Sequence, residues 1–240
     1  MLNKSFISLS RTILFVFVLS NCASAQPTKK AAYGILIDNT GSMRNQFEQV
    51  LMIGKGVVNR VSPEAPVLLA NFRTDERFAV VASEIDWTQD HALLNTYIER
   101  LKTIRGHTMM FEAIEFLAQE LDKKADSEKQ TPLEKIMILI TDGDEVILRH
   151  TGMLTGPTWE DDERKRIRSR LIKKLKTSGI KVYAIGLTKE LESSSRTRMS
   201  RRDKAENLLK KITKDTGGRA VFPQSKKINL DRLLSELLTQ

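Results

Sequence analysis

Five oxygen-bearing side chains could act together as a metal site. Asp38, Thr40 and Ser42 alternate in the run Asp38-Asn39-Thr40-Gly41-Ser42. Thr108 follows in Gly106-His107-Thr108, and Asp142 in Thr141-Asp142-Gly143. Two carboxylates and three hydroxyls offer hard donors, with no nitrogen or sulfur. That set suits Mg²⁺, Mn²⁺ or Ca²⁺ and disfavours zinc or copper. The alternation lets a tight loop turn three side chains toward one point, with Gly41 relieving the backbone. Two carboxylates supply enough negative charge to hold a divalent cation. So few charged ligands leave that cation electron-poor and attractive to a carboxylate from outside. Taken singly, each piece has a structural explanation: Asp38 or Thr108 could cap a helix, and Asp-Gly is a common turn pair. Their order, and their positions at the ends of secondary-structure elements, point to a metal site.

Those elements can be read from the apolar pattern. Continuous apolar runs at 31–38, 67–72, 78–82, 136–141 and 181–186, with a shorter one at 220–222, suit strands buried on both faces. Helical spacing fills 43–61, 92–104, 111–121, 160–177, 204–216 and 230–238. Strands alternating with helices predict an α/β fold, a mainly parallel sheet with helices on both faces. The link at 73–77 is too short for a crossover helix. The second and third strands therefore form a hairpin, and the third is an antiparallel edge. Asp38 ends the first strand and Asp142 follows the fourth. In open parallel sheets ligands bind beyond the carboxyl ends of strands, where the strand order reverses. Strands one and four are the neighbours expected there.

The N-terminal 25 residues read as an address. Lys4 and Arg11 precede an apolar run at 13–19, and Ala23-Ser24-Ala25 supplies a small-x-small cleavage pattern. Seven apolar residues cannot span a bilayer of about 30 Å. Residues 1–25 are thus expected to be a signal peptide and 26–30 a short polar lead. Leu19-Ser20-Asn21-Cys22 is similar to a lipoprotein box, with Cys22 as the lipidated residue. The box wants a small residue before Cys, which Asn21 is not, so cleavage after Ala25 is the expectation. The remainder is expected to be secreted or periplasmic. The single Cys excludes an internal disulfide or a Cys-rich zinc centre, and the three scattered His give no triad.

Catalytic alternatives fit poorly. Aspartic proteases place Thr-Gly directly after Asp, twice, on β-barrels. Haloacid-dehalogenase-like phosphatases need a second Asp two residues after the first, where Thr40 stands, and a Thr hydroxyl cannot do that proton transfer near neutral pH. No Gly-rich phosphate loop follows the first strand.

Asp38-x-Thr40-Gly41-Ser42, Gly106-x-Thr108 and Thr141-Asp142-Gly143 together resemble the metal-ion-dependent adhesion site of von Willebrand factor type A (vWA) domains. Tyr183-Ala184-Ile185-Gly186 and Thr216-Gly217-Gly218 extend the resemblance, which covers residues 31–240 as one vWA domain and is greatest to the bacterial secreted branch. It implies a Rossmann-like, doubly wound sheet of six strands, one antiparallel. It implies that Thr40 and Ser42 coordinate the ion directly, and that Thr108, Asp38 and Asp142 do so directly or through water. One coordination position stays open for a Glu or Asp of a protein partner. Members are mostly binding modules, not enzymes. Thr40 stands where Ser is more frequent and keeps the hydroxyl; His107 stands where Gly is common in that branch.

The expected function is therefore non-catalytic binding through Mg²⁺, with Mn²⁺ or Ca²⁺ as substitutes. Met153 and Trp159, in a loop expected at 151–159, are candidate partner contacts. Residues 163–176 carry eight Lys or Arg, with Ile167, Leu171 and Leu175 as an inward stripe. A second basic cluster, Arg196, Arg198, Arg201, Arg202 and Lys204, falls in an expected loop. These segments support an alternative, a metal-independent envelope scaffold that holds acidic partners, an acidic polymer or anionic membrane. Nucleic acid is not expected, because the leader exports the chain and aromatic interleaving is absent.

Overall fold

The computed structural model describes residues 30–75, 78–105, 109–128, 132–143, 157–188, 201–223 and 228–238. Its six strands are β1 (Ala31–Ile37), β2 (Val67–Asp75), β3 (Phe78–Ala82), β4 (Glu134–Thr141), β5 (Ile180–Gly186) and β6 (Ala220–Val221). They form one sheet in the order β3-β2-β1-β4-β5-β6. All neighbours are parallel except β2 and β3, which pair antiparallel. This is the Rossmann-like arrangement expected, with β3 as the antiparallel edge. The strand order reverses at β1, between β2 and β4.

The register explains the unbroken apolar runs. Ile35 is level with Leu69 and Ile138, and Leu36 with Ala70 and Leu139. Successive residues face opposite sides of the sheet, and both sides are covered. Ile35, Ile37, Ile138, Ile140 and Ile185 pack with α1 (Phe47–Arg60), α2 (His91–Arg100) and α6 (Leu230–Leu238). Leu36, Ala70, Met137, Leu139 and Val182 pack with α3 (Met110–Ser127), α4 (Pro157–Thr177) and α5 (Arg201–Asp215). Burying each large aliphatic chain contributes about 1.5–3 kcal/mol, so both layers are needed to hold the sheet.

Several boundaries differ from the sequence expectation. Residues Gly41–Gln46 form a 3₁₀ turn before α1, closed by the Met43 amide on the Thr40 carbonyl at 3.0 Å. The tighter coil keeps the chain close to the end of β1. Helix α2 stops at Arg100 although the apolar spacing runs on to Ile104. Helix α4 begins at Pro157, whose fixed φ and missing N–H suit a first helical position, so Trp159 is helical rather than in a loop. Arg201, Arg202 and Lys204 likewise belong to α5. Cys22, His107, Thr108, Met153, Arg196 and Arg198 lie outside the described residues.

Candidate metal centre

Asp38 is the first residue beyond β1, held between the strands by its amide on the Ile140 carbonyl at 2.9 Å. It is fully buried. Its Oδ1 accepts from the Thr40 amide (3.0 Å) and the Thr40 hydroxyl (2.7 Å). Its Oδ2 accepts from the Thr141 hydroxyl at 2.7 Å. Because Thr40 gives its proton to Asp38, Thr40 Oγ1 acts as an acceptor on its other side. Thr40 Oγ1 and Ser42 Oγ stand 3.3 Å apart. Adjacent octahedral ligands would be about 3.0 Å apart around Mg²⁺ at ~2.1 Å, and about 3.4 Å around Ca²⁺ at ~2.4 Å. The hydroxyl pair therefore has the separation a hard cation requires. Thr40 is buried and Ser42 exposed, so the loop opens to solvent on the Ser42 side.

Asp142, also buried, is the first residue beyond β4, the strand next to β1. Thr141 links the two strand ends: its hydroxyl accepts from the Gly143 amide at 3.0 Å while donating to Asp38. Gly143 has φ +74°, and a Cβ there would lie 3.1 Å from Leu209 and 3.2 Å from Ala205. Only glycine takes that turn without strain. Gln46 Nε2 donates to the Leu187 carbonyl at 2.7 Å, joining the 3₁₀ turn to the end of β5.

Asn39 is a structural hub that the sequence pattern did not single out. Its Oδ1 accepts from the Phe72 amide of β2 at 2.9 Å, and its Nδ2 donates to the Lys102 carbonyl at 2.9 Å. Its own carbonyl accepts from the Ile104 amide at 2.8 Å. These bonds pull 101–104 out of helical geometry and bind that segment, which leads toward Thr108, to the Asp38 loop. Beside Asn39 lies a hollow of about 630 Å³, lined among others by Asn71, Phe72, Tyr97, Arg100 and Lys102. The Tyr97 hydroxyl donates to Asn71 Oδ1 in it, at 2.7 Å.

Of the five expected ligands, Asp38, Thr40 and Ser42 share one loop, and Asp142 sits at the end of the adjacent strand. Thr108 lies outside the described residues. Among the described residues no cluster of three or more His, Cys, Asp or Glu could hold a metal. A cation at this rim must therefore rely on hydroxyls and two carboxylates, a weakly charged oxygen set.

The fold agrees with comparison to known proteins. A structure described as von Willebrand factor type A from Catenulispora acidiphila superposes with a TM-score of 0.57 at 17% identity, covering 83% of this chain and 40% of that one. Proximal thread matrix protein 1 from the mussel byssus matches with a TM-score of 0.57 at 16% identity, over 87% of this chain and 47% of its own. Another structure of that mussel protein, at 15% identity, has a zinc-occupied MIDAS motif. The chain spans less than half the length of these structures. At such identities they establish the fold alone. No protein of curated function matches the sequence. The model of the von Willebrand factor type A domain matches residues 34–236, and the chain belongs to that family.

Proposed function

We propose that this vWA domain is an exported, non-catalytic adhesion module of the bacterial secreted branch. A divalent cation, Mg²⁺ in the leading case, bridges it to an Asp or Glu of a partner protein. Asp38, Thr40, Ser42, Thr108 and Asp142 hold the cation, and no bond is broken. Residues 1–25 serve as a cleaved signal peptide, and Met153 and Trp159 flank the partner surface. The hollow beside Asn39 offers room for partner side chains next to the bridging carboxylate.

The observation that carries this reading is the Thr40–Ser42 pair. Two hydroxyl oxygens stand 3.3 Å apart, one already giving its proton to the buried Asp38. Hydroxyls so paired are good neutral ligands to a hard cation. vWA domains are protein-interaction folds, which favours bridging over turnover. The zinc in the mussel protein's motif makes zinc a necessary comparison.

The test is calorimetric titration of the chain with Mg²⁺, Mn²⁺ and Zn²⁺, in wild type and Asp38→Ala. Saturable Mg²⁺ or Mn²⁺ binding that Asp38→Ala abolishes is expected. Absence of binding in wild type, or unchanged binding in the variant, removes the metal and with it the bridge.

A further inference from the structure

Charge is unevenly spread over the helices that cover the sheet. Helices α1, α2 and α6 on one face carry four Lys or Arg and four Asp or Glu; on the other, α3 carries two and five, whereas α4 and α5 carry fourteen and seven. The imbalance is segregated further along α4. Its acids are Glu160 to Glu163, and residues 164–176 hold eight bases and no acid. On α5 two of the three carboxylates are engaged internally: Glu206 by Arg202 and Lys210, and Asp215 by Lys211. On α4 Lys174 reaches Glu115 of α3 at 3.8 Å, but among the described residues Arg168, Arg170 and Lys173 have no ion-pair partner. Lysines in a last turn offset a helix dipole, yet eight bases in this one stretch far exceed that need.

We propose that the α4–α5 face docks on an anionic phospholipid surface. Three observations favour lipid. Leu171, Ile172 and Leu175 are buried against the sheet, so the bases fan across a convex helix surface at many angles. A fluid headgroup layer can supply a phosphate to each of Arg168, Arg170 and Lys173, which one rigid protein surface cannot. At the carboxyl end of α5 a hollow of about 390 Å³ is lined by Lys210, Thr213, Lys214, Gly217, Gly218, Arg219 and Ala220, with no carboxylate among them. Lys210 is held over the Phe222 ring (4.9 Å) and by Glu206 (3.1 Å), and Arg219 by the Glu236 carbonyl (2.6 Å), so both are fixed in place, with Lys210 already part of an ion pair. Finally, α4 ends beside the start of β5, at the opposite end of the sheet from Asp38. Docking there leaves the candidate metal rim free. Among the described residues no helix is long and apolar enough to cross a membrane.

The proposal does not depend on the metal reading, and one experiment keeps them apart. The full chain is pelleted with vesicles of phosphatidylcholine alone, and of phosphatidylcholine with phosphatidylglycerol, at low and high salt. The neutral vesicles report any contribution of the apolar leader. Phosphatidylglycerol should raise binding, and high salt should remove the increase. The triple variant R168E/R170E/K173E should lower it by about a hundredfold, since each base near an anionic surface contributes about fivefold. Its melting curve and Mg²⁺ titration should match wild type, whatever the wild-type titration shows. Equal binding to both vesicle types, or a phosphatidylglycerol preference that survives the triple reversal, overturns the proposal. Binding to polyglutamate without binding to the anionic vesicles overturns it in favour of an acidic protein.

Discussion

Asp38 beyond β1 and Glu206 in α5 are both carboxylates wrapped by hydrogen-bond donors, and the donors differ in charge. The bonds to Asp38 described above come from an amide and two hydroxyls, which fix its orientation without cancelling its charge. Glu206 accepts from Arg202 Nε (3.0 Å), Lys210 Nζ (3.1 Å) and the Thr188 hydroxyl (3.0 Å). Cations satisfy it on the spot, and it joins α5 to the end of β5. On the proposed function, a carboxylate held in these bonds by neutral donors keeps charge for a bound cation. One held by Arg and Lys is a structural tie.

Conservative amides should separate these roles, and the largest effect is expected at Asp38. Asp38→Asn keeps size and shape but cuts the formal charge of the two-carboxylate site by half. Mg²⁺ affinity should fall by about a hundredfold or more, because charge count sets affinity in oxygen sites. Without metal the variant should melt at or above the wild-type temperature, since a buried charge held by neutral donors is costly and the amide removes it. A variant that binds Mg²⁺ normally, or that melts well below wild type without metal, would make Asp38 another structural tie.

Asn39 sharpens the comparison because it supports the Asp38 loop without offering charge. Asn39→Ala strands the buried Phe72 amide and the Lys102 carbonyl, at a cost of about 2–3 kcal/mol in denaturant unfolding. Mg²⁺ affinity should drop about tenfold, the scale for groups that orient ligands. Asn39→Asp retains the acceptor for Phe72 but buries a charge and sets an oxygen against the Lys102 carbonyl, so it should cost at least as much stability.

What the sequence could and could not reveal follows from the range of each interaction. β1, β4 and β5 were legible because burial on both faces leaves few polar residues to break the run. The β2–β3 hairpin was legible because its link is too short for anything else. The places of Asp38 and Asp142 at the ends of neighbouring strands were legible because each follows an apolar run, with Thr40 and Ser42 in the loop beyond the first. Asn39 was not, because its partners are 33 and 63 residues away and its neighbours give no hint of them. The early end of α2 has the same cause: Leu101 and Ile104 keep helical spacing, but Asn39 takes the backbone groups of that segment. Thr141 was seen as part of a motif, yet its hydroxyl bridge from Gly143 to Asp38 exists only once β1 and β4 are side by side.

Gly143 tests whether the backbone beyond β4 is as specified as the side chains it presents. Gly143→Ala meets both a positive φ and close contacts with Leu209 and Ala205, and should cost about 1–2 kcal/mol. Gly179 has a similar φ of +66° but nothing within 4 Å of its added Cβ, so Gly179→Ala should cost less. Equal losses in the two variants would mean that packing against α5 does not constrain the Asp142 turn.

The smallest effect is expected at Glu206, and its pH dependence is diagnostic. Burial pushes this carboxyl up, but hydrogen bonds from Arg202, Lys210 and Thr188, with the charge of Lys210, hold it below its ordinary 4.5. The folded state therefore binds a proton less readily than the unfolded chain. The resulting stability is fully present above the ordinary carboxylate value and is lost as pH falls through the lower folded value. Glu206→Gln should lower stability by about 1 kcal/mol at neutral pH, the scale of one partly exposed charged network. The gap to wild type should close on acidification, while Mg²⁺ affinity stays unchanged throughout. A gap that persists unaltered into acid would show that shape rather than charge joins α5 to β5, and the contrast with Asp38 would lose one of its two sides.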